Sequence, residues 1–295
     1  MITYKKITLL GGDARQVTAA DKLLERGHCI SFFAGESEQT ARSARLCSLE
    51  EALADPDVVV LPLPATTDGI HLNAPFYKDG SIELASIIAK MPTKALVVGG
   101  KIPDSFISEA EKRGICVVDY FKSEAFQIKN AYTTAEAAIF VAMNNMKKNL
   151  RASRFAITGY GRIARNLADM LLNFGAEVTV LARKESDLAW ASLRGARACK
   201  LTYDSIFGLK DGYDIIFNTV PTYLFMEDFL CQMDKDTLIV DLASAPGGID
   251  VSAAKRCGAR VLWAASLPGK YAPVSAGELI AECVGDIIES EVAKC

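Results

Sequence analysis

The feature that most constrains this chain is a glycine turn set between a strand and a helix. Phe155, Ala156, Ile157 and Thr158 make a short apolar run that ends on Gly159-x-Gly161-x-x-Ala164. Beyond it, Ile163, Leu167, Leu171 and Phe174 recur at helical spacing, the mark of a helix that buries one stripe against a sheet. Such a turn gathers unpaired backbone N–H groups and the positive end of a helix dipole at one point, which suits a pyrophosphate. The tripartite motif is weak alone and gains force from a second strand at the right distance, here 177–182. Gly159, Tyr160, Gly161, Arg162 and Ile163 are therefore read as the phosphate cradle.

The end of that second strand selects the dinucleotide. An NAD site usually has Asp or Glu about 20 residues past the turn, holding the ribose 2′-OH. Here Ala182 is followed by Arg183 and Lys184. Two cations in place of a carboxylate suit a 2′-phosphate, so the sequence predicts NADP in preference to NAD. The plainer alternative is that Arg183 and Lys184 are ordinary solvated loop charges.

The rest of the composition bounds the class. A chain of 295 residues, 50% hydrophobic, has room for two domains with their own cores. Its net charge of −3, from 33 basic and 36 acidic side chains spread along the chain, argues against a nucleic-acid surface or a polybasic membrane anchor. No apolar stretch approaches a membrane span. Residues 1–6 lack the apolar core of a secretion signal, so a cytoplasmic location is expected. The 8 cysteines include no C-x-x-C pair. That usage reads as small buried hydrophobes in a reducing cytosol, with neither a disulfide framework nor a zinc site expected. His28 and His71 stand far apart without ligand-like companions, and no metal is assigned.

Strand candidates at 7–10, 29–33, 58–61, 95–98 and 116–119 alternate with helical patterns at 16–25, 48–54, 82–90 and 105–113. Short apolar strands separated by amphipathic helices imply a parallel sheet covered on both faces. The expected fold is α/β: two Rossmann-like, doubly wound parallel-sheet domains, residues 1–130 and 151–274, joined by a long helix over 131–150. That helix is read as starting near Thr133 and Thr134, with Glu136 in its first turn, and a last helix over 275–295 is expected to pack back on the first domain. The first turn, Gly11-Gly12-Asp13, lacks the dinucleotide spacing, which leaves the first domain for substrate. Further strands at 213–217, 237–240 and 260–263 run into polar loops. Ligands of open parallel sheets bind beyond the carboxyl ends of the strands. Asn218, Thr219, Val220, Pro221 and Ser244 are thus added to the cofactor set, and Lys270 lies in the third loop. The alternative is that these loops are plain turns.

Taken together, these motifs resemble the A subunits of dipicolinate synthase. The resemblance rests on Gly11-Gly12-Asp13-Ala14-Arg15-Gln16, Gly99-Gly100-Lys101, Asn130-Ala131 with Thr134-Ala135-Glu136, and Thr158-Gly159-Tyr160-Gly161-Arg162. It extends through Ser244-Ala245-Pro246-Gly247-Gly248 and Leu267-Pro268-Gly269-Lys270-Tyr271-Ala272-Pro273, and so covers nearly the whole chain. The family pattern has Pro and Gly where this chain has Thr133 and Ala137.

The resemblance implies oxidation of a dihydrodipicolinate-type intermediate of the lysine pathway to dipicolinate in the mother cell during sporulation. It also implies a nicotinamide dinucleotide and, as partner, the smaller, flavoprotein-like B subunit of the synthase, and it is compatible with a homo-oligomer. A small dicarboxylate substrate needs cationic or hydroxyl donors. Arg15, Lys101, Thr134 and Lys270 are the candidates, on loops expected to converge between the domains. Glu136 is the first candidate for the proton acceptor, and Lys101 the second if burial lowers its pKa. Each has a duller rival: Arg15 as a pair on the first helix, Glu136 as a helix-end charge, the lysines as solvated loop charges. Two other functions compete: a two-domain dehydrogenase of the 2-hydroxyacid or shikimate type, and a module that senses NADP without turnover.

Overall fold

The computed structural model describes residues 5–35 and 45–292; the first four residues of the leader reading, and Cys295 with the end of the last helix, lie outside the described residues. The chain divides into two compact units, Met1–Asn130 with Ala272–Cys295, and Ala131–Tyr271.

The first unit runs β1 (Lys6–Leu10), α1 (Ala14–Glu25), β2 (Cys29–Phe33), β3 (Arg45–Leu46), α2 (Leu49–Ala52) and β4 (Val58–Val60). It continues with α3 (Leu84–Lys90), β5 (Leu96–Gly99), α4 (Asp104–Lys112), β6 (Val117–Asp119) and the start of α5 (Glu124–Asn145). Its six strands are ordered β3-β2-β1-β4-β5-β6, and every pairing is parallel. Successive side chains of a strand face opposite ways, so a strand covered on both sides is apolar throughout. Leu9 and Val60 pack with Val17, Ala20 and Leu23 on one face, while Leu10 and Val59 pack with Ile87, Ile88 and Phe106 on the other.

The second unit begins within α5 and contains β7 (Arg154–Thr158), α6 (Arg162–Asn173), β8 (Glu177–Ala182), α7 (Glu185–Leu193), β9 (Arg197–Lys200) and α8 (Tyr203–Phe207). Then come β10 (Ile215–Asn218), α9 (Glu227–Gln232), β11 (Leu238–Asp241), α10 (Val251–Cys257), β12 (Arg260–Trp263) and α11 (Leu267–Tyr271). The order β12-β11-β10-β7-β8-β9 repeats that of the first unit. Ile157, Val180 and Phe217 bury against Ala135, Ala138, Leu167 and Leu171. Ala156, Leu181 and Ile216 bury against Phe229, Leu230 and Ala253. Leu167 and Leu171 are 0% exposed, and cutting either to Ala would cost about 2–5 kcal/mol. The last helix, α12 (Pro273–Val292), belongs to the first unit, where Ile280, Val284 and Ile288 pack with Val17 and Leu23 of α1.

Several expectations need correction. The connecting helix does not span 131–150: α5 starts at Glu124, runs through Thr133 and Thr134, and stops at Asn145. Residues 124–145 contain neither Gly nor Pro, so nothing interrupts the backbone ladder, and both threonines are buried rather than capping. The third polar loop, 267–277, is largely helical as α11 and the start of α12. The cysteines are not uniformly buried hydrophobes, since Cys29 and Cys116 are exposed. One pair is a disulfide: Cys231 on α9 and Cys257 on α10, with Cα atoms 4.6 Å apart. The two helices pack side by side through Phe229, Leu230, Ala253 and Ala254, which brings together sulfurs 26 residues apart in sequence.

Candidate functional site

In the second unit the carboxyl ends of β7, β8, β10 and β11 meet around the glycine turn. Gly159 has φ +89, a value that L side chains rarely adopt. A Cβ there would lie 2.5 Å from Thr219 Oγ1 and 3.0 Å from Val220. The turn is held from both sides: the Gly159 N–H donates to Leu181 O at 2.8 Å, and Thr219 Oγ1 donates to Thr158 O at 2.8 Å.

Gly161 is the N-cap of α6, with no side chain capping it and no acidic residue in the first turn. A Cβ on Gly161 would meet nothing within 4 Å. The first turn of a 12-residue helix thus lacks a side-chain partner of its own, and an anion there is worth up to about 2 kcal/mol in a partly buried setting. Arg162 is exposed and Ile163 half-buried. Tyr160 offers its backbone rather than its ring. The ring is buried in the core under the Arg165 guanidinium, 5.4 Å from its centroid, and burial pushes the phenol pKa up.

At the end of β8, Arg183 and Lys184 are exposed. Among the described residues neither side chain has a hydrogen bond or ion pair. Their neighbours are spoken for: Arg165 pairs with Asp187 at 2.9 Å, Lys200 with Glu185 and Arg194 with Asp169. Two uncommitted cations thus sit where a carboxylate would hold a ribose diol.

Asn218 is 0% exposed and its amide is fully engaged. Oδ1 accepts from Thr158 Oγ1 at 2.6 Å and from the Val220 N–H at 3.1 Å. Nδ2 donates to Val220 O at 3.0 Å and to Asp241 Oδ1 at 2.8 Å. Asp241, which sequence reasoning did not single out, also accepts from the Ala243 N–H at 3.1 Å and the Gly248 N–H at 2.9 Å. Its signal in the sequence was only its place at the end of a strand. Thr219 and Val220 are half-buried, while Pro221 and Ser244 are exposed on the same loops. A cavity of about 770 Å³ lies at the opposite end of these strands, lined by Lys147, Lys148, Arg154, Asp214 and Arg260. It adjoins the amino ends of the strands, where open parallel sheets do not bind ligands.

The other candidates are less concentrated. Arg15 is buried and committed: its guanidinium holds Asp13 at 2.8 Å and donates to Leu63 O at 2.5 Å. Asp13 is in turn the N-cap of α1, accepting from the Arg15 N–H. Nearby, Tyr120 is 1% exposed, its hydroxyl has no hydrogen-bond partner among the described residues, and burial holds its pKa well above the usual phenol range. Lys101 follows β5 in left-handed conformation, φ 53, with Nζ 4.7 Å from the Phe121 ring centroid. It is exposed, so the burial its role as a base required is absent. Glu136 is likewise exposed at mid-helix on α5, neither at a helix start nor in a dry setting, whereas Thr134 is buried. Lys270 is exposed on α11.

Comparison with known proteins places this geometry. Residues 6–121 match the N-terminal domain of the dipicolinate synthase A subunit. Residues 122–247 match the NAD-binding domain of D-isomer specific 2-hydroxyacid dehydrogenases, in keeping with the Rossmann-like order of the second sheet and with a nicotinamide cofactor. The dipicolinate synthase A subunit of Bacillus subtilis strain 168 is 28% identical over 98% of this chain and 97% of its own length. The crystal structure of that Bacillus subtilis protein superposes with a TM-score of 0.85, covering 100% of this chain and 99% of that one at 28% identity. The Bacillus halodurans A subunit gives 0.85 at 26% identity, over 97% and 98%. The chain is thus similar over its whole length to the dipicolinate synthase A subunits, its first half matching their N-terminal domain and its second half a dehydrogenase NAD-binding domain.

Proposed function

We propose that this chain is an NADP-dependent dehydrogenase that serves as the A subunit of a dipicolinate synthase. It would oxidise a dihydrodipicolinate-type intermediate of the lysine pathway to dipicolinate during sporulation, together with a B subunit. One observation carries the cofactor choice: an uncapped helix start at Gly161, with Arg183 and Lys184 unpaired at the end of the next strand. The residues fit the group. A Cβ at Gly159 would collide with Thr219, the space beside Gly161 is open, and the cations match a 2′-phosphate. When bound, the dinucleotide supplies the hydride acceptor.

What falls to the chain is holding and orienting. The α6 N–H groups would take the pyrophosphate, and Arg183 and Lys184 the 2′-phosphate. Aromatisation of the substrate supplies a strong thermodynamic pull, so placement of the dicarboxylate matters more than acid–base power. Lys101, Thr134 and Lys270 remain the proposed carboxylate donors and Glu136 the proposed proton acceptor, while Arg15 could join them only by giving up Asp13 or the Leu63 carbonyl. The exposure of Glu136 and Lys101 leaves a bound water as an equal candidate for that proton.

The test has two parts. NADP reduction with the lysine-pathway intermediate should be measurable, with and without the B subunit. Binding of NADP with no turnover under either condition would instead favour the sensing module. Arg183→Glu should lower affinity for NADP roughly tenfold or more while leaving NAD nearly unchanged. An unaltered NADP/NAD preference would defeat the cofactor assignment.

A further inference from the structure

The hydrogen bonds of Asn218 and Asp241 cross the second unit's strand ends rather than pointing at a ligand. Asn218 has two N–H donors and two acceptor sites, and all four are used: by Thr158, by Val220 twice, and by Asp241. It has nothing left to offer a cofactor. Asp241 gathers three donors, from Asn218, Ala243 and Gly248. The pair thereby ties the end of β7, the 218–221 loop and the 242–248 loop into one piece.

The surroundings are cut to that shape. A Cβ on Gly248 would fall 2.2 Å from Asn218 Nδ2, and one on Gly247 would fall 2.8 Å from Asp241 Oδ2. Gly247 also has φ +86. Farther along, the two loops are stitched again, as the Leu224 N–H donates to Gly248 O at 2.9 Å and the Asp250 N–H to Phe225 O at 3.1 Å. The two loops are thus joined at their bases and again farther along.

Their place in the sheet says what they would hold. A fold of this strand order binds a dinucleotide as two mononucleotide halves across the switch point, here between β7 and β10. The end of β8, with Arg183 and Lys184, takes the adenosine half. The loops after β10 and β11 therefore face the other half, which carries the nicotinamide. We propose that Asn218 and Asp241 are positioning residues that set the two loops holding the nicotinamide half, and touch no part of the cofactor themselves. This rests on the dinucleotide reading of the same site.

The experiment compares two probes by calorimetry: NADPH, and adenosine 2′,5′-bisphosphate, which carries the phosphorylated ribose but no nicotinamide. Asp241→Asn turns an amide N–H toward backbone donors, and a buried mismatch of that kind is worth about a factor of ten or more. The expected result is a roughly tenfold or greater loss of NADPH affinity with the bisphosphate bound as in the wild type. Equal weakening of both probes would mean a merely structural role and would overturn the proposal, as would no change in either.

Should Asp241→Asn not fold, Thr158→Val removes a single bond of the set while keeping the side chain's shape. It must show the same split to a lesser degree, and unchanged affinities would count against the proposal. A wild-type protein that binds neither probe would overturn the dinucleotide reading itself, an outcome distinct from a wild type that binds both and a variant that keeps both.

Discussion

The two units share one strand order, and each places a helix start just beyond its first strand, yet they treat that start in opposite ways. In the first unit Asp13 caps α1 and is itself held by the buried Arg15. The position an anion would take is filled by the protein's own carboxylate, neutralised by its own guanidinium. In the second unit Gly161 caps α6 with no side chain, and the neighbouring space is open. The comparison teaches that the strand order alone does not make a nucleotide site. What makes one is a helix start left without an internal anion.

Exchanging the two treatments should have the largest effect. Gly161→Asp places a carboxylate where Asp13 stands in the first unit. Dinucleotide affinity should fall by about 100-fold or more through like-charge repulsion, measured by fluorescence titration. The melting temperature should hold or rise slightly, because Asp is a favoured cap. Retained binding would break the comparison.

The reverse exchange, Asp13→Ala, removes a cap and strands a buried guanidinium. It should destabilise the protein by about 3 kcal/mol, read by denaturant unfolding, without creating affinity for NADPH in the first unit. A loss under about 1 kcal/mol would show that Arg15 finds another partner.

The smallest effect concerns pH and is confined to the first unit. His28 is buried and burial lowers its pKa, with Arg26 adding to the effect. Its Nδ1 accepts from the Lys5 N–H at 3.4 Å. The unfolded chain therefore takes up a proton more readily than the folded one. Stability from this group is complete above about pH 6.5 and is lost as pH falls toward the lowered folded value. The melting temperature should fall as pH is lowered from 7.5 to 5, and His28→Gln should flatten that dependence. A slope unchanged in the variant would assign it to carboxylates instead.

The contrast also explains what could be read from the chain beforehand. Strands buried on both faces, such as 58–61 and 155–158, announce themselves as unbroken apolar runs. The edge strand β9, Arg-Ala-Cys-Lys, escaped notice because its ends carry charge and its residues are only half-covered. The polar pair Thr133-Thr134 imitated a helix start, although its hydroxyls lie in the buried flank of a helix already under way. The glycine turn and the two cations after β8 were legible because they are local. Asp241 was not, since its partner Asn218 lies 23 residues away, and Asn218 meets Thr158 across 60. The sulfur pair of α9 and α10 was hidden for the same reason, by its 26-residue separation.

That last bond has a topological consequence. The span from Cys231 to Cys257 contains all of β11 and the glycine-rich bend after it, so oxidation turns an interior strand and one rim of the candidate site into a covalent ring. With the sulfurs reduced, the same residues are kept together by packing and by the Arg256–Glu227 ion pair at 2.9 Å. Oxidised chains should thus resist unthreading of that strand during heating or proteolysis, while their reduced counterparts yield there first.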